Sequence, residues 1–308
     1  MRLLQIFVDN IVPIMLIAGG GVWLRRGFDV SPKPISTTMF YLLSPVLVFY
    51  SLYTSVVDGG EFFSLYFATL LFQVLMALIA YVIMRLQGSG SLERAGVMVA
   101  SFCLNAGNYG LSLVFFAFGE EALSRAVIVF LANVTINYSL GVYVASNGRA
   151  SPRKALMNIS RVPAMYALVI AFVFVGLDIT LPVAIERGVS RLSDAAIPMM
   201  LLLLGLQLGK IGKLGQLRLL VTGVGLKLFF APLLAVGLAV LFNLSDLSAT
   251  AFIMQASMPT AILTIVLATE FDMDHDLSLN LIMISTFLSP ITLSILIYIL
   301  QETLMAGL

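Results

Sequence analysis

Ten apolar runs, each bounded by charged or turn-forming residues, occupy most of this 308-residue sequence. They cover residues 4–24, 35–56, 62–84, 95–117, 122–146, 162–178, 195–211, 217–242, 247–269 and 277–300. A helix that crosses a bilayer needs about 20 predominantly apolar residues, so ten such runs leave only short connections. A water-soluble globule of this size is excluded, because much of any folded surface stays wet. Only 11% of the residues are charged, against about 25% in a soluble domain. The chain is therefore expected to form one all-α integral membrane domain, residues 1–308, of ten transmembrane helices. The first run lacks a small-residue cleavage site and is read as an uncleaved span. Residues 182–194, with Glu186, Arg187, Arg191 and Asp194, are expected to form a short amphipathic lead-in lying at the membrane interface.

Several chemistries fall away at once. A net charge of +1 offers no field for a nucleic-acid partner. One cysteine, Cys103, and one histidine, His275, supply neither an intrachain disulfide nor a zinc-type ligand set, so no metal or cofactor is expected. The loop Asp272–Asp276 is read as a solvated cap for the tenth run. No metalloprotease, nucleophile-elbow or aspartate-rich motif lies at membrane depth, so the chain is not expected to be an enzyme.

Basic residues set the orientation. The side reached after runs 1, 3, 5, 7 and 9 carries twelve of them, including Arg25, Arg26, Arg85, Arg149, Lys210, Lys213 and Arg218, and the other side carries four. That places the twelve in the cytoplasm of a multi-pass cell-membrane protein, with both termini outside.

The chain also reads as one unit used twice. Pro45 and Pro198 are 153 positions apart, and the same offset relates Asn105-Ala106 in run 4 to Met258-Pro259 in run 9. Five runs per unit is an odd number, so the second copy (162–308) enters the membrane inverted relative to the first (1–146). Inverted repeats of this kind mark secondary transporters.

Runs 4 and 9 are the irregular ones. Run 4 holds Asn105, Gly107, Asn108, Tyr109 and Gly110, and run 9 holds Gln255, Met258, Pro259 and Thr260. Mid-membrane amides are costly and glycine frees the backbone, while Pro259 removes an amide hydrogen. Non-helical chain at that depth is tolerated only inside protein or beside a watery cavity. Both runs are expected to be broken helices that cross, with half-helix N-termini near Gly110 and Thr260 aimed into one region. Such termini favour an anion, typically a carboxylate. Asn133 and Asn137 share a helical face in run 5. The 153 offset sets Thr286 opposite Asn133, with Ser285 beside it.

Lys227 lies deep in run 8, where a lysine costs about 2.5–3.5 kcal/mol. It is expected to face the interior, where three roles stay open: pairing with the anion, holding a carbonyl of the broken helices, or stabilising the bundle. Its near-equivalent in run 3 is Gln73. Acidic side chains are missing from the middle of every run, which disfavours a cation/proton antiporter or a sodium-coupled organic-acid symporter, the alternatives for such a fold.

These residues resemble the auxin efflux carrier family, which includes plant PIN-type transporters and bacterial malate or malonate permease-like transporters. The most specific matches are Asn105-Ala-Gly-Asn-Tyr-Gly110 leading to Phe118-Gly119-Glu120, and Met258-Pro259-Thr260-Ala261 followed by Leu267-Ala268. The resemblance implies the architecture of sodium/proton antiporters and bile-acid transporters. Spans 1, 2, 6 and 7 would form a scaffold that homodimerises, and spans 3–5 and 8–10 a mobile, elevator-type transport unit. It further implies that Asn105, Asn108 and Asn133 surround a substrate carboxylate. The short loop from Asn147 to Arg161, and Gln73 where a carboxylate-bearing patch is expected, set this chain nearer the compact bacterial type.

The twelve-to-four asymmetry yields a topology test. A cysteine placed at Ser151, with Cys103 replaced, is expected to react with an impermeant thiol reagent only from the cytoplasm. Labelling from outside in intact cells overturns the orientation.

Overall fold

At membrane depth the backbone must satisfy its own hydrogen bonds, and the chain does so almost wholly with helices. The computed structural model describes residues 2–55, 57–149, 151–208 and 215–306. Lys210 and Lys213 lie outside the described residues. The helices are α1 (Arg2–Phe28), α2 (Pro32–Tyr53), α3 (Gly59–Leu86), α4 (Ser91–Phe102), α5 (Ala106–Ala145), α6 (Pro152–Ile159), α7 (Pro163–Gly176), α8 (Val183–Gln207), α9 (Leu217–Leu241), α10 (Asp246–Ala256), α11 (Leu263–Glu270) and α12 (His275–Ala306). Among the described residues, seven of these (α1, α2, α3, α5, α8, α9 and α12) are long and apolar enough to cross a membrane.

The 40 residues of α5 span about 60 Å at 1.5 Å per residue, roughly twice a bilayer core. Gly119 resolves the excess. Its φ of 78° and ψ of −169° belong to a region open only to glycine, and they divide α5 into 106–118 and 120–145. Leu104, 15 residues before Gly119, is hydrogen-bonded to Asn133, 14 residues after it, so the chain folds back on itself here.

The lead-in expected over 182–194 is helical and continuous with the span that follows it. Helix α8 starts at Val183 and runs unbroken through Pro198 to Gln207. Gly188 alone does not stop a helix, and continuing α8 keeps its amides paired as it enters the membrane. The Asp272–Asp276 loop caps α12 through Asp274, whose Oδ1 accepts from the Leu277 amide at 2.9 Å.

Packing falls into two sets. Helix α1 lies along α8 and α7 lies along α2, while α2 and α8 also touch each other. Helices α4 and α5 pack on α3, and α10 packs on α5 and α9. The α1–α8 contact is a main-chain approach. A Cβ on Gly205 would stand 1.8 Å from the Ala18 carbonyl oxygen, and one on Gly21 would stand 2.2 Å from that of Leu202. The second set is tied at one end by Glu61 on α3. Glu61 accepts from the Arg125 guanidinium on α5 at 2.9 and 3.2 Å, and from Ser245 and Ser248 beside and on α10 at 3.0 and 2.7 Å.

Two glycines of α8 give a matched test. Gly205→Ala forces two backbones apart and is expected to destabilise the detergent-solubilised protein by about 1–3 kcal/mol or more. Gly188→Ala, exposed with nothing near its added Cβ, is expected to be neutral or stabilising by about 0.5–1 kcal/mol. Equal melting shifts for the two variants would show that α1 and α8 do not meet through Gly205.

Candidate functional site

The two irregular runs are interrupted at 103–105, between α4 and α5, and at 257–262, between α10 and α11. The interruptions pair with each other. Leu104 and Thr260 form an isolated antiparallel bridge, in which the Asn105 amide donates to the Pro259 carbonyl and the Ala261 amide to the Cys103 carbonyl, both at 3.0 Å. Pro259 has no N–H to offer a helix, yet its carbonyl serves the neighbouring strand-like segment.

A helix that ends in apolar surroundings leaves carbonyls without partners, and here each one is answered. From Val99 to Asn105 the seven carbonyls accept, in order, from the Cys103 amide, Thr260 Oγ1, Lys227 Nζ, Gln73 Nε2, the Ala261 amide, Asn133 Nδ2 and the Gly110 amide. Asn133 is the central brace. Its Oδ1 accepts from the Leu104 amide at 3.2 Å and from Gln73 Nε2 at 2.9 Å, while its Nδ2 returns a bond to the Leu104 carbonyl at 3.2 Å. Of the roles left open to Lys227, the contact made is with a carbonyl of the interruption, Ser101 O at 3.2 Å.

On the other interruption the Thr260 amide donates to Ser285 Oγ at 3.2 Å. Ser285, rather than the expected Thr286, thus does for Thr260 what Asn133 does for Leu104. The offset shifts accordingly. It is 156 between the two bridge bonds and 152 between Asn133 and Ser285, because the two units do not spend equal numbers of residues on their non-helical stretches.

The half-helix N-termini also fall elsewhere than Gly110 and Thr260. They lie at Ala106 and Leu263, four residues earlier and three residues later. Helix α5 therefore begins with amides free of intrahelical partners, whereas at α11 the Thr264 and Ile265 amides donate to the Ala261 and Ile262 carbonyls at 3.0 and 3.1 Å. Asn105 sits at the first of these termini, 5% exposed, with its Nδ2 unpaired. Asn108, one turn on and half-buried, donates to Gln207 Oε1 at the end of α8, 3.3 Å away. Gln207 was not singled out in the sequence, although an amide closing a leucine-rich run is an oddity that could have marked it. Gly110 admits Gln255 and Met258, since a Cβ there would stand 2.1 Å from Gln255 Oε1 and 3.1 Å from Met258 Cγ. Tyr109 is buried against Ser289. Asn137 and Thr286 are buried, Asn137 in a π-helical turn (Asn137–Gly141) with its Oδ1 unpaired. The site thus gathers unspent donors at Asn105 and the α5 terminus, and no carboxylate is among the buried side chains described.

A family model described as membrane transport protein (Mem_trans) matches residues 6–297. The chain belongs to this family. Two relatives match over most of both chains. An uncharacterized transporter of Methanothermobacter thermautotrophicus is 29% identical over 258 residues, 81% of this chain and 82% of the relative. An uncharacterized transporter of Methanocaldococcus jannaschii is 26% identical over 274 residues, 85% of this chain and 88% of the relative. With its apolar helices, family membership makes the chain a multi-pass membrane transporter, in line with the resemblance read from its residues.

A brace and a ligand contact respond differently to mutation. Asn133→Leu leaves the Leu104 N–H and C=O unpaired, and is expected to cost roughly 2–6 kcal/mol of stability in the ligand-free protein. Asn108→Ala removes one half-buried bond and is expected to cost about 1 kcal/mol or less. Thermal unfolding in detergent checks both, and a stable Asn133→Leu protein would remove the bracing role.

Proposed function

We propose that this transporter is a secondary carrier moving a small organic anion, a carboxylate of the malate, malonate or indole-acid kind, across the cytoplasmic membrane. The observation that carries the reading is the unpaired, buried Nδ2 of Asn105 at the N-terminus of α5, in surroundings without a buried carboxylate. A substrate carboxylate would accept from Asn105 and the first amides of α5, where the helix dipole adds positive potential. Asn108 and Gln207 would complete the shell, with Tyr109, Gly110, Gln255, Met258, Thr260 and Thr286 shaping it. Asn133, Asn137, Gln73 and Lys227 support it from behind.

The architecture proposed for such a carrier is ten spans in two inverted repeats. In that count, 106–118 and 120–145 belong to different spans, and α4 and α10 are the first halves of broken ones. Three observations favour it. The bridge bonds exchange under one offset, the pairing of α1 with α8 mirrors that of α7 with α2, and an Arg2–Glu302 ion pair sets both chain ends on one face. In an elevator mechanism α1, α2, α7 and α8 would stand as the scaffold, forming a homodimer, while the remaining spans slide. The Asn108–Gln207 bond would then be a contact between the fixed and moving parts.

Uptake of labelled malate and of a labelled indole acid into proteoliposomes tests the proposal. For whichever anion is carried, Asn105→Ala and Asn108→Ala are expected to weaken binding by roughly ten- to a hundredfold, the worth of one charge-assisted hydrogen bond each. Wild-type binding and transport by both variants would place the site elsewhere.

A further inference from the structure

A cavity of about 480 Å³ lies apart from the paired interruptions, between α2 and α8 on one side and α5 on the other, near the turn at Gly119. Its volume is that of a small-molecule site, and its two walls differ in chemistry. Helices α2 and α8 contribute hydroxyls, among them Ser51 and Ser193. Ser193 is only 6% exposed and forms no hydrogen bond among the described residues, so its hydroxyl is left to the cavity. Helix α5 contributes the rings of Phe115 and Phe116 and the carboxylates of Glu120 and Glu121.

The charge around the cavity does not balance. Arg125, the one basic residue in the lining, is already held by both oxygens of Glu61. Asp194, also in the lining, is paired with Arg191 at 3.2 Å. Glu120 and Glu121, both solvent-exposed, take part in no ion pair among the described residues, which leaves two negative charges in a lining that also holds two aromatic rings. An anion is repelled from such a place. A cation gains from the carboxylates and from the ring quadrupoles together, and its apolar part covers Phe115 and Phe116.

We infer that this cavity is a binding site for a small organic cation, an arylalkyl amine, separate from the carboxylate site at the interruptions. The ammonium group lies against Glu120 and Glu121, the aryl group against Phe115 and Phe116, and the Ser193 hydroxyl is available to accept from the ammonium. An occupant touches α2, α5 and α8 together.

Phenethylamine and phenethyl alcohol share a carbon skeleton and differ in charge, which makes them a suitable pair of probes. Binding is measured by saturation-transfer NMR on the full chain in phosphatidylcholine nanodiscs, with empty nanodiscs subtracted. The amine is expected to bind about tenfold more tightly than the alcohol. The Glu120→Gln/Glu121→Gln double variant is expected to bring the two close to parity. Ser51→Phe, which fills the cavity and leaves the carboxylates in place, is expected to abolish binding of the amine. Asn108→Ala, at the other site, is expected to leave amine binding as in the wild type, so failure of the anion reading and failure of this one are told apart. Equal binding of the two probes, a preference that survives the double variant, or full binding by Ser51→Phe overturns the inference.

Discussion

A peptide group inside a membrane protein must be hydrogen-bonded, and a helix that stops in apolar surroundings breaks that condition several times over. Much of the polar content in the interior of this transporter answers that condition. The carbonyls from Val99 to Asn105 are each matched, four of them by the side chains of Thr260, Lys227, Gln73 and Asn133. Those residues come from three helices and from the other interruption, so interrupting one helix commits several segments to fixed positions around it. A buried lysine is costly at this depth, and the Ser101 carbonyl gives Lys227 an acceptor that no carboxylate provides.

This arrangement separates support from recognition. Asn133 has both ends of its amide engaged, and Gln73 spends its amide nitrogen twice. Asn105 and Asn108 differ: one holds an unpaired donor, and the other is half-buried and reaches only across to Gln207. Glycines set the tolerances. Gly110 brings Gln255 and Met258 onto α5, and Gly21 with Gly205 brings α1 and α8 into main-chain contact. Fixed positive potential at the α5 terminus and surplus negative charge near Gly119 then stand at different places on the same helix, and suit ligands of opposite sign.

Much of the fold was legible because membrane depth leaves a chain few options. Apolar length identifies the long helices, and Pro259 and Asn105 mark the neighbourhoods where helices are interrupted. The same local signals could not show that α8 runs unbroken from Val183. Amphipathic character suggests an interfacial segment, but whether the helix continues depends on what lies against it.

Partnership was beyond the sequence by itself. It set Lys227 facing inward with a carbonyl of the broken helices among three open roles, yet it did not say that Asn133 and Gln73 serve carbonyls of the same interruption. Donor and acceptor there lie between 29 and 126 residues apart. It showed an offset of 153, while the bridge follows 156 and Ser285 replaces Thr286, because residues spent in non-helical turns shift the register. Gln207 and the Glu61–Arg125 pair went unmarked for the same reason. A polar side chain announces by its type that it needs a partner, and only the packed helices decide which partner it meets.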